Sequence, residues 1–258
     1  MALKRMENRM NKTLIVTGGS RGVGAAIAQR AALDLGFKVA VNFAQSRDRA
    51  QALARSIRDQ GGQAEPIRAD ISTEQGIVAL FDEAEHKLGP IGAVVNNAGG
   101  GLGRWPIETV SADHVAAMMA LNLTSVIFSA REAARRMVPD PSGAGGVILN
   151  ISSMSAANGG ALGLSTYAAA KGGVESLTIA LANELGPRNI RVNCLRLGPI
   201  ETDAHGAADA QARAAMTRTV PLGRYGTPNE AASAALFLLS AEAGFVNGAI
   251  LDVSGGRR

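Results

Sequence analysis

Seven short aliphatic or β-branched runs, separated by longer stretches with helical spacing of apolar residues, constrain this chain more than any other feature of it. The strand candidates are Thr13 to Thr17, Lys38 to Phe43, Ala64 to Arg68, Ala93 to Asn96, Gly146 to Ile151, Arg191 to Leu197 and Ala249 to Val253. Helical patterns lie between them over Val23 to Leu35, Arg47 to Gln60, Thr73 to Leu88, Ala112 to Met137, Ser165 to Leu185 and Pro228 to Leu239. Parallel neighbours need a long crossover, usually a helix, so this alternation predicts a doubly wound α/β fold: a seven-stranded parallel sheet with helices on both faces. The 258 residues contain no internal repeat and no linker rich in Pro, Ser or charge. One domain over 13–258 is expected, preceded by a basic extension over 1–12.

Composition removes several function classes. Cys194 is the only cysteine, which excludes an intrachain disulfide and a multi-cysteine zinc site and points to a reducing, cytoplasmic setting. His114 and His205 have no partner set that would make a metal site, and both are expected at the surface. No apolar run approaches the roughly 20 residues of a membrane span, and the longest, Ala231 to Leu239, is interrupted by Ser233. The net charge of +4 raises the question of nucleic acid, but the basic residues are scattered and aromatics make up only 3%. A mild positive field that attracts an anionic small molecule accounts for the charge better.

The first strand runs directly into Thr17-Gly-Gly-Ser-Arg-Gly-Val-Gly24 and then a helix. Gly18, Gly22 and Gly24 let backbone amides approach a phosphate, and the helix N-terminus adds partial positive charge. The spacing is G-x-x-x-G-x-G, not the commoner G-x-G-x-x-G, and by itself a Gly-rich turn is a weak signal. Further along, Tyr167-Ala-Ala-Ala-Lys171 puts a phenol and an ammonium on one helical face, after serines at 152, 153 and 155. A nearby cation favours the ionised phenol, so Lys171 is expected to bring Tyr167 towards the range of a general acid/base. Tyr-x-x-x-Lys alone is a common chance spacing.

Taken in order, these segments resemble the short-chain dehydrogenase/reductase family over about Lys12 to Gly256, and the 3-oxoacyl-carrier-protein reductase-like branch most closely. The resemblance implies a Rossmann-type domain whose Gly-rich turn is Thr17 to Gly24, with Gly18, Ser20, Arg21, Gly22, Val23 and Gly24 at the cofactor. It places the Asn-Asn-Ala-Gly signature at Asn96 to Gly99, with Asn97, Ala98 and Gly99 flanking the cofactor. Asp70 and Ile71 fall at the adenine, and Ile200 and Thr202 at the nicotinamide carboxamide. The catalytic set becomes Asn122, Ser153, Tyr167 and Lys171, with Ser152 and Ser155 as alternatives for the serine. Lys171 and Tyr167 would also hold the nicotinamide ribose, and Asn122 a water that links Lys171 to solvent. The sequence departs from the family pattern where the usual Pro-Gly reads Leu197-Gly198, with proline at Pro199.

The second strand ends Val39-Ala-Val-Asn-Phe43 without an acid to repel a 2′-phosphate. Asn42 and Ser46 can donate hydrogen bonds there and Arg21 and Arg47 can pair with phosphate, so NADPH/NADP+ is expected over NADH. The expected reaction is hydride transfer between the nicotinamide and a small carbonyl or secondary alcohol. The pocket is expected between Gly100 to Trp105, Ser155 to Leu164 and a lid over Asp203 to Thr219, with Trp105 packing the loop and His205 the better placed histidine for substrate. Arg135 matches one arginine of a carrier-protein dock, while the second position reads Asn183. A non-catalytic dinucleotide sensor is the alternative of another class, and it would be expected to lose Tyr167 or Lys171. Small and apolar residues on the helices from Ala112 and Ser165, including Ala168, Gly172 and Ile179, predict a homotetramer that also uses Ala249 to Gly256.

Overall fold

The computed structural model describes residues 12–137, 145–202 and 210–258. The N-terminal extension, apart from Lys12, and the first part of the lid, including His205, lie outside them. Seven strands form one parallel sheet: β1 (Thr13–Val16), β2 (Lys38–Phe43), β3 (Gln63–Arg68), β4 (Ile91–Asn96), β5 (Val147–Ser153), β6 (Arg191–Leu197) and β7 (Ile250–Val253). Their order is β3-β2-β1-β4-β5-β6-β7, and every neighbouring pair is parallel, as the alternation of the sequence implies. The order reverses direction between β1 and β4. In such sheets the crevice beyond the carboxyl ends of the strands at this switch point is where ligands bind.

Alternation along each strand feeds two cores. Leu14 and Val16 face a layer built by α1 (Gly22–Leu35), α2 (Arg47–Asp59) and the late helix Pro228–Leu239, with Ile27, Ala54 and Leu236. Ile15 faces the opposite layer, where α3 (Glu74–Leu88) supplies Ile77, Leu80 and Phe81. The helices begin where side chains satisfy their free amides: Thr73 accepts from Gly76 N–H, and Thr227 with Glu230 forms a reciprocal capping box.

The helix expected as one piece from Ala112 to Met137 is divided. α4 (Ala112–Met119) passes into a π-helical turn over Ala120–Thr124 and then α5 (Ser125–Arg136). By length and mean hydropathy, 1.2 over its best 18 residues, Ala112–Arg136 is the one described helix apolar enough to cross a membrane, where sequence reading anticipated none. In the fold its inner face packs on β4, β5 and the long helix α7 (Ser165–Leu185). A short helix, α6 (Ser155–Asn158), links β5 to the Gly-rich loop, and α8 (Ala210–Arg218) and α9 (Pro228–Leu239) complete the chain. β5 extends to Ser153, two residues past its expected end.

Candidate active site

Two loops at the switch point are laced together. Thr17 Oγ1 accepts the backbone N–H groups of Asn97 and Ala98, both at 3.0 Å. Asn97 Nδ2 donates back to the carbonyls of Thr17 (2.9 Å) and Gly18 (3.1 Å). A methyl group at Gly24 would stand 2.5 Å from Asn97 Nδ2, so only glycine lets α1 approach this closely, and Gly18 and Gly22 take positive φ of 59° and 55°. Asn97 is thereby a brace for the turn, with both amide protons spent on it. The helix cap Arg21 is extended and makes no side-chain cap, so no cap side chain covers the N–H groups of the first turn of α1. Ser20 is half-buried, Arg21 exposed and Val23 buried beside that turn.

At the other end of the crevice the structure corrects the expectation for Asn42. Its side chain is buried, its Oδ1 accepts Gly18 N–H at 3.2 Å, and its Nδ2 donates to Ile67 O (3.4 Å) and Ala69 O (3.1 Å). With both amide protons committed to backbone carbonyls, Asn42 ties the Gly-rich turn to β3 and has none for a ribose or phosphate. Ser46 caps nothing at the start of α2, and Arg47 opens that helix exposed to solvent. Asp70 Oδ1 accepts both the hydroxyl (2.7 Å) and the N–H (3.0 Å) of Ser72, which hold its carboxyl below the usual carboxylate range. Ile71 beside it is buried.

The catalytic candidates converge at the carboxyl end of β5. The Ser153 side chain acts on the Tyr167 phenol and pulls its pKa down. Ser155 lies one step back, with its Oγ 3.3 Å from Ser153 Oγ, whereas Ser152 is buried and faces Glu175, so of the three serines Ser153 is the one that acts on Tyr167. Lys171 Nζ sits 5.9 Å from the Tyr167 ring centroid and donates to Ile151 O at 2.9 Å. Asn122 occupies the π turn, where Oδ1 accepts Gly100 N–H (2.9 Å) and Nδ2 donates to Gly100 O and Met118 O (3.1 Å each). A methyl at Gly99 would meet Asn122 Oδ1 at 2.7 Å and Lys171 Nζ at 3.0 Å, which shows how tightly these groups close around the signature loop.

The electrostatics reverse one expectation. Burial pushes the Tyr167 phenol above its ordinary 10.0, and the opposing pull comes from Ser153. Burial also lowers the Lys171 ammonium to about 8. Desolvation of both groups outweighs the attraction that the i, i+4 spacing alone implied.

Around the mouth, Trp105 N–H donates to Gly163 O at 2.9 Å and joins the two Gly-rich loops. Its ring is half-exposed and lies 5.4 Å from the His114 ring, so Trp105 packs its loop. His114 is half-buried, 3.4 Å from Thr166 Oγ1, and so is less a surface residue than expected. Ile200 is buried and Thr202 lies against Gly22. α8 is held by Arg213, which pairs with Glu201 and stacks 4.5 Å over the Tyr225 ring. Arg135 pairs with Glu132 at 3.0 Å and lies 13 residues, or about 20 Å of helix, beyond Asn122. Asn183 is exposed.

Sequence reading missed two charged residues beside the site. Glu175, one turn beyond Lys171, is buried and grips Arg196 of β6 through two hydrogen bonds of 2.8 and 2.6 Å. The signal was the i, i+4, i+8 run of Tyr167, Lys171 and Glu175, together with an arginine inside an otherwise apolar strand.

Comparison with known proteins agrees with this geometry. A family model described as enoyl-(acyl carrier protein) reductase matches residues 18–258. The chain is 37% identical over 244 residues to the uncharacterized oxidoreductase YgfF of Escherichia coli (strain K12), covering 94% of this chain and 98% of that one. A mutant Serratia marcescens short-chain dehydrogenase/reductase superposes with a TM-score of 0.88 at 36% identity, over 95% of this chain and 97% of that one. A blue fluorescent protein from a metagenomic library, solved with NADPH, gives 0.88 at 33% identity, over 96% and 98%. With its parallel sheet in the order 3-2-1-4-5-6-7, the chain belongs to the short-chain dehydrogenase/reductase family and is an oxidoreductase of the alcohol–carbonyl couple that uses a nicotinamide cofactor.

Proposed function

We propose that this protein is an NADPH-dependent reductase of small carbonyl compounds, with Tyr167 as proton donor. The observation that carries the reading is the convergence of Ser153, Tyr167 and Lys171 at the end of β5, with the Lys171 ammonium 5.9 Å from the phenol ring and anchored to Ile151 O. The crevice fits a dinucleotide: the uncapped start of α1, the space kept by Gly18, Gly22 and Gly24, and the cations Arg21 and Arg47 suit a pyrophosphate and a 2′-phosphate. No acid ends β2, and the metagenomic relative was solved with NADPH. When bound, the nicotinamide supplies the hydride.

Ser153 donates a hydrogen bond to the substrate carbonyl oxygen and polarises it, while Tyr167 delivers its proton to the oxygen as negative charge develops there. A phenol held above 10.0 is protonated at neutral pH, so Tyr167 enters the reduction in its acid form. Lys171 adds positive charge beneath the phenol and supports the phenolate that forms. Asn122 holds the Gly99–Gly100 loop against Lys171. The half-exposed Leu102 and Trp105 and the exposed Leu162 give the mouth an apolar rim suited to an uncharged ketone. Arg135 lends one N–H to Glu132 and is otherwise exposed, so what argues against a carrier-protein dock is the asparagine, Asn183, at the second position.

Two separate apolar faces support a homotetramer, since two isologous contacts generate one. Ile127 and Ile179 are exposed on α5 and α7, and Phe237, Phe245 and Leu251 around β7. Light scattering at micromolar concentration should give four times the monomer mass; a monomer refutes this part. The catalytic reading is tested by NADPH oxidation against a carbonyl panel that includes β-ketoacyl thioesters, with Tyr167→Phe alongside. Turnover should vanish in the variant while NADPH still binds. Equal affinity for NADH and NADPH would overturn the cofactor preference.

A further inference from the structure

The stripe of α7 that bears Tyr167 and Lys171 continues into groups that the chemistry does not use. Tyr167, Lys171, Glu175 and Thr178 follow at spacings of 4, 4 and 3, and the last three are buried. Below Lys171, every one of them meets a polar group of the sheet. Thr178 Oγ1 accepts from Asn150 Nδ2 at 2.9 Å, and Asn150 Oδ1 in turn accepts from Asn96 Nδ2 at 2.9 Å. Glu175 Oε1 accepts from Ser152 Oγ at 2.8 Å and from Arg196 Nε at 2.8 Å, and Glu175 Oε2 from the Arg196 guanidinium at 2.6 Å. Ser152 Oγ also lies 3.3 Å from the carbonyl of Lys171, and Arg196 reaches on to Asp252 of β7 at 2.9 Å. One buried carboxylate therefore joins β5, β6 and the Lys171 turn, and through Arg196 it reaches β7.

Such a joint has a purpose here that apolar packing cannot serve. Apart from Lys171, the helix between Tyr167 and Val174 carries only Ala168, Ala169, Ala170, Gly172 and Gly173, so it has no large apolar side chain to lock its rotation on the sheet. Small residues let a helix slide or turn at little cost, whereas bidentate charge-assisted hydrogen bonds fix both distance and orientation. Ser152, the residue that Glu175 holds, immediately precedes Ser153.

We propose that Glu175 and Arg196 are positioning residues for catalysis: their ion pair fixes the rotation of α7 against the end of β5 and so holds Lys171 and Tyr167 in register with Ser153. The inference rests on the catalytic reading of Ser153, Tyr167 and Lys171. Around Lys171 the ionisable groups are Tyr167 and Glu175 on its own helix and Cys194 and Arg196 on β6; from the π turn Asn122 also approaches it. Cys194 stays a neutral thiol, pushed up to about 12 chiefly by burial, with Glu175, Lys171 and Arg196 all close enough to act on it.

The test compares wild type, Glu175→Gln, Arg196→Lys, the double variant Glu175→Met/Arg196→Met and Tyr167→Phe. It reads kcat and KM of carbonyl reduction from pH 6 to 10, together with the melting temperature of each protein. The double variant replaces the whole buried pair by apolar groups of similar size, which proteins tolerate far better than loss of one partner. Its melting temperature should stay near wild type while kcat falls by about 10- to 100-fold, the scale of an ångström-level misplacement, with KM changed less than kcat and the pH profile displaced. Arg196→Lys, which keeps the charge but not the bidentate grip, should recover part of the kcat. A folded double variant with wild-type kcat and pH profile would overturn the proposal, as would kcat losses that merely follow the melting temperature across the series. Should the double variant not fold, Glu175→Gln is read in the same two ways: a lowered kcat with a displaced pH profile supports the proposal, and wild-type values of both overturn it. Full activity in Tyr167→Phe would instead refute the catalytic reading itself.

Discussion

Replacing Lys171 by Met should abolish activity and yet make the protein more stable at neutral pH. The ammonium is 3% exposed, and burial lowers it from the ordinary 10.5 to about 8. Below pH 8 the lysine is charged in both the folded and the unfolded chain, so the folded state carries the whole penalty of the buried charge. At about 1.4 kcal/mol for each pH unit between 8 and 10.5, that penalty is about 3 kcal/mol. Methionine has nearly the same shape and no charge. It forfeits the 2.9 Å hydrogen bond from Nζ to the carbonyl of Ile151, worth about 1 kcal/mol. The net gain of about 2 kcal/mol corresponds to a rise of about 4–8 °C in melting temperature for a chain of this size. Its pH dependence gives the sharper check. Between pH 8 and 10.5 the unfolded lysine keeps its proton while the folded one loses it, so wild-type stability rises with pH in that window. By pH 10 the penalty should shrink to under about 1 kcal/mol, no more than the lost hydrogen bond, and the two melting curves should meet. Thermal unfolding followed by circular dichroism at pH 7, 8, 9 and 10 measures this. A variant less stable than wild type at pH 7, or an advantage that stays constant up to pH 10, would contradict this account of the buried charge.

Three further outcomes follow from the packing. Gly24→Ala puts a methyl 2.5 Å from Asn97 Nδ2 and 2.6 Å from Gly18 O, so it should cost about 1–3 kcal/mol and weaken NADPH binding in calorimetric titration; unchanged affinity would mean that the turn is not the cofactor cradle. Thr178→Val removes the acceptor of the buried Asn150 Nδ2 and should cost about 1–3 kcal/mol in urea unfolding, a loss that an unshifted midpoint would rule out. Gly172 has nothing within 4 Å of an added methyl, so Gly172→Ala should stabilise the single chain by up to about 1 kcal/mol; if size-exclusion chromatography shows that it also breaks the oligomer, α7 packs on a second copy there, and an unaffected assembly would place the interface elsewhere.

The sheet was legible because its central strands are buried on both faces and so read as unbroken aliphatic runs, such as Leu14-Ile-Val16 and Val147-Ile-Leu149. β5 looked two residues too short because its last positions, Ser152 and Ser153, are the ones turned over to polar work. The π turn at Asn122 left no trace in the pattern, since one extra residue per turn scarcely changes apolar spacing over so short a stretch. Gly173 is a further case: a methyl there would meet Leu123 at 2.9 Å, a close packing on that same turn that no local reading of the two glycines could separate from Gly172, which faces open space.

What stayed hidden in the site has one common cause, which is that the partners of a polar group are distant in sequence. Asn42 has the right chemistry for a ribose, but Ile67, Ala69 and Gly18 claim its amide. Glu175 reads as a solvated helix residue until Arg196 is found 21 residues away across it. Distance in sequence also explains the reversed shift at Tyr167. A lysine four residues on is visible in the sequence and argues for a lowered phenol, while the burial that raises it arises only when the chain is folded. The reversal changes what the site has to supply. A phenol raised by burial keeps its proton at neutral pH but is a weaker acid than a free one, so in the proposed mechanism the proton leaves only as far as Ser153 and the Lys171 ammonium stabilise the phenolate.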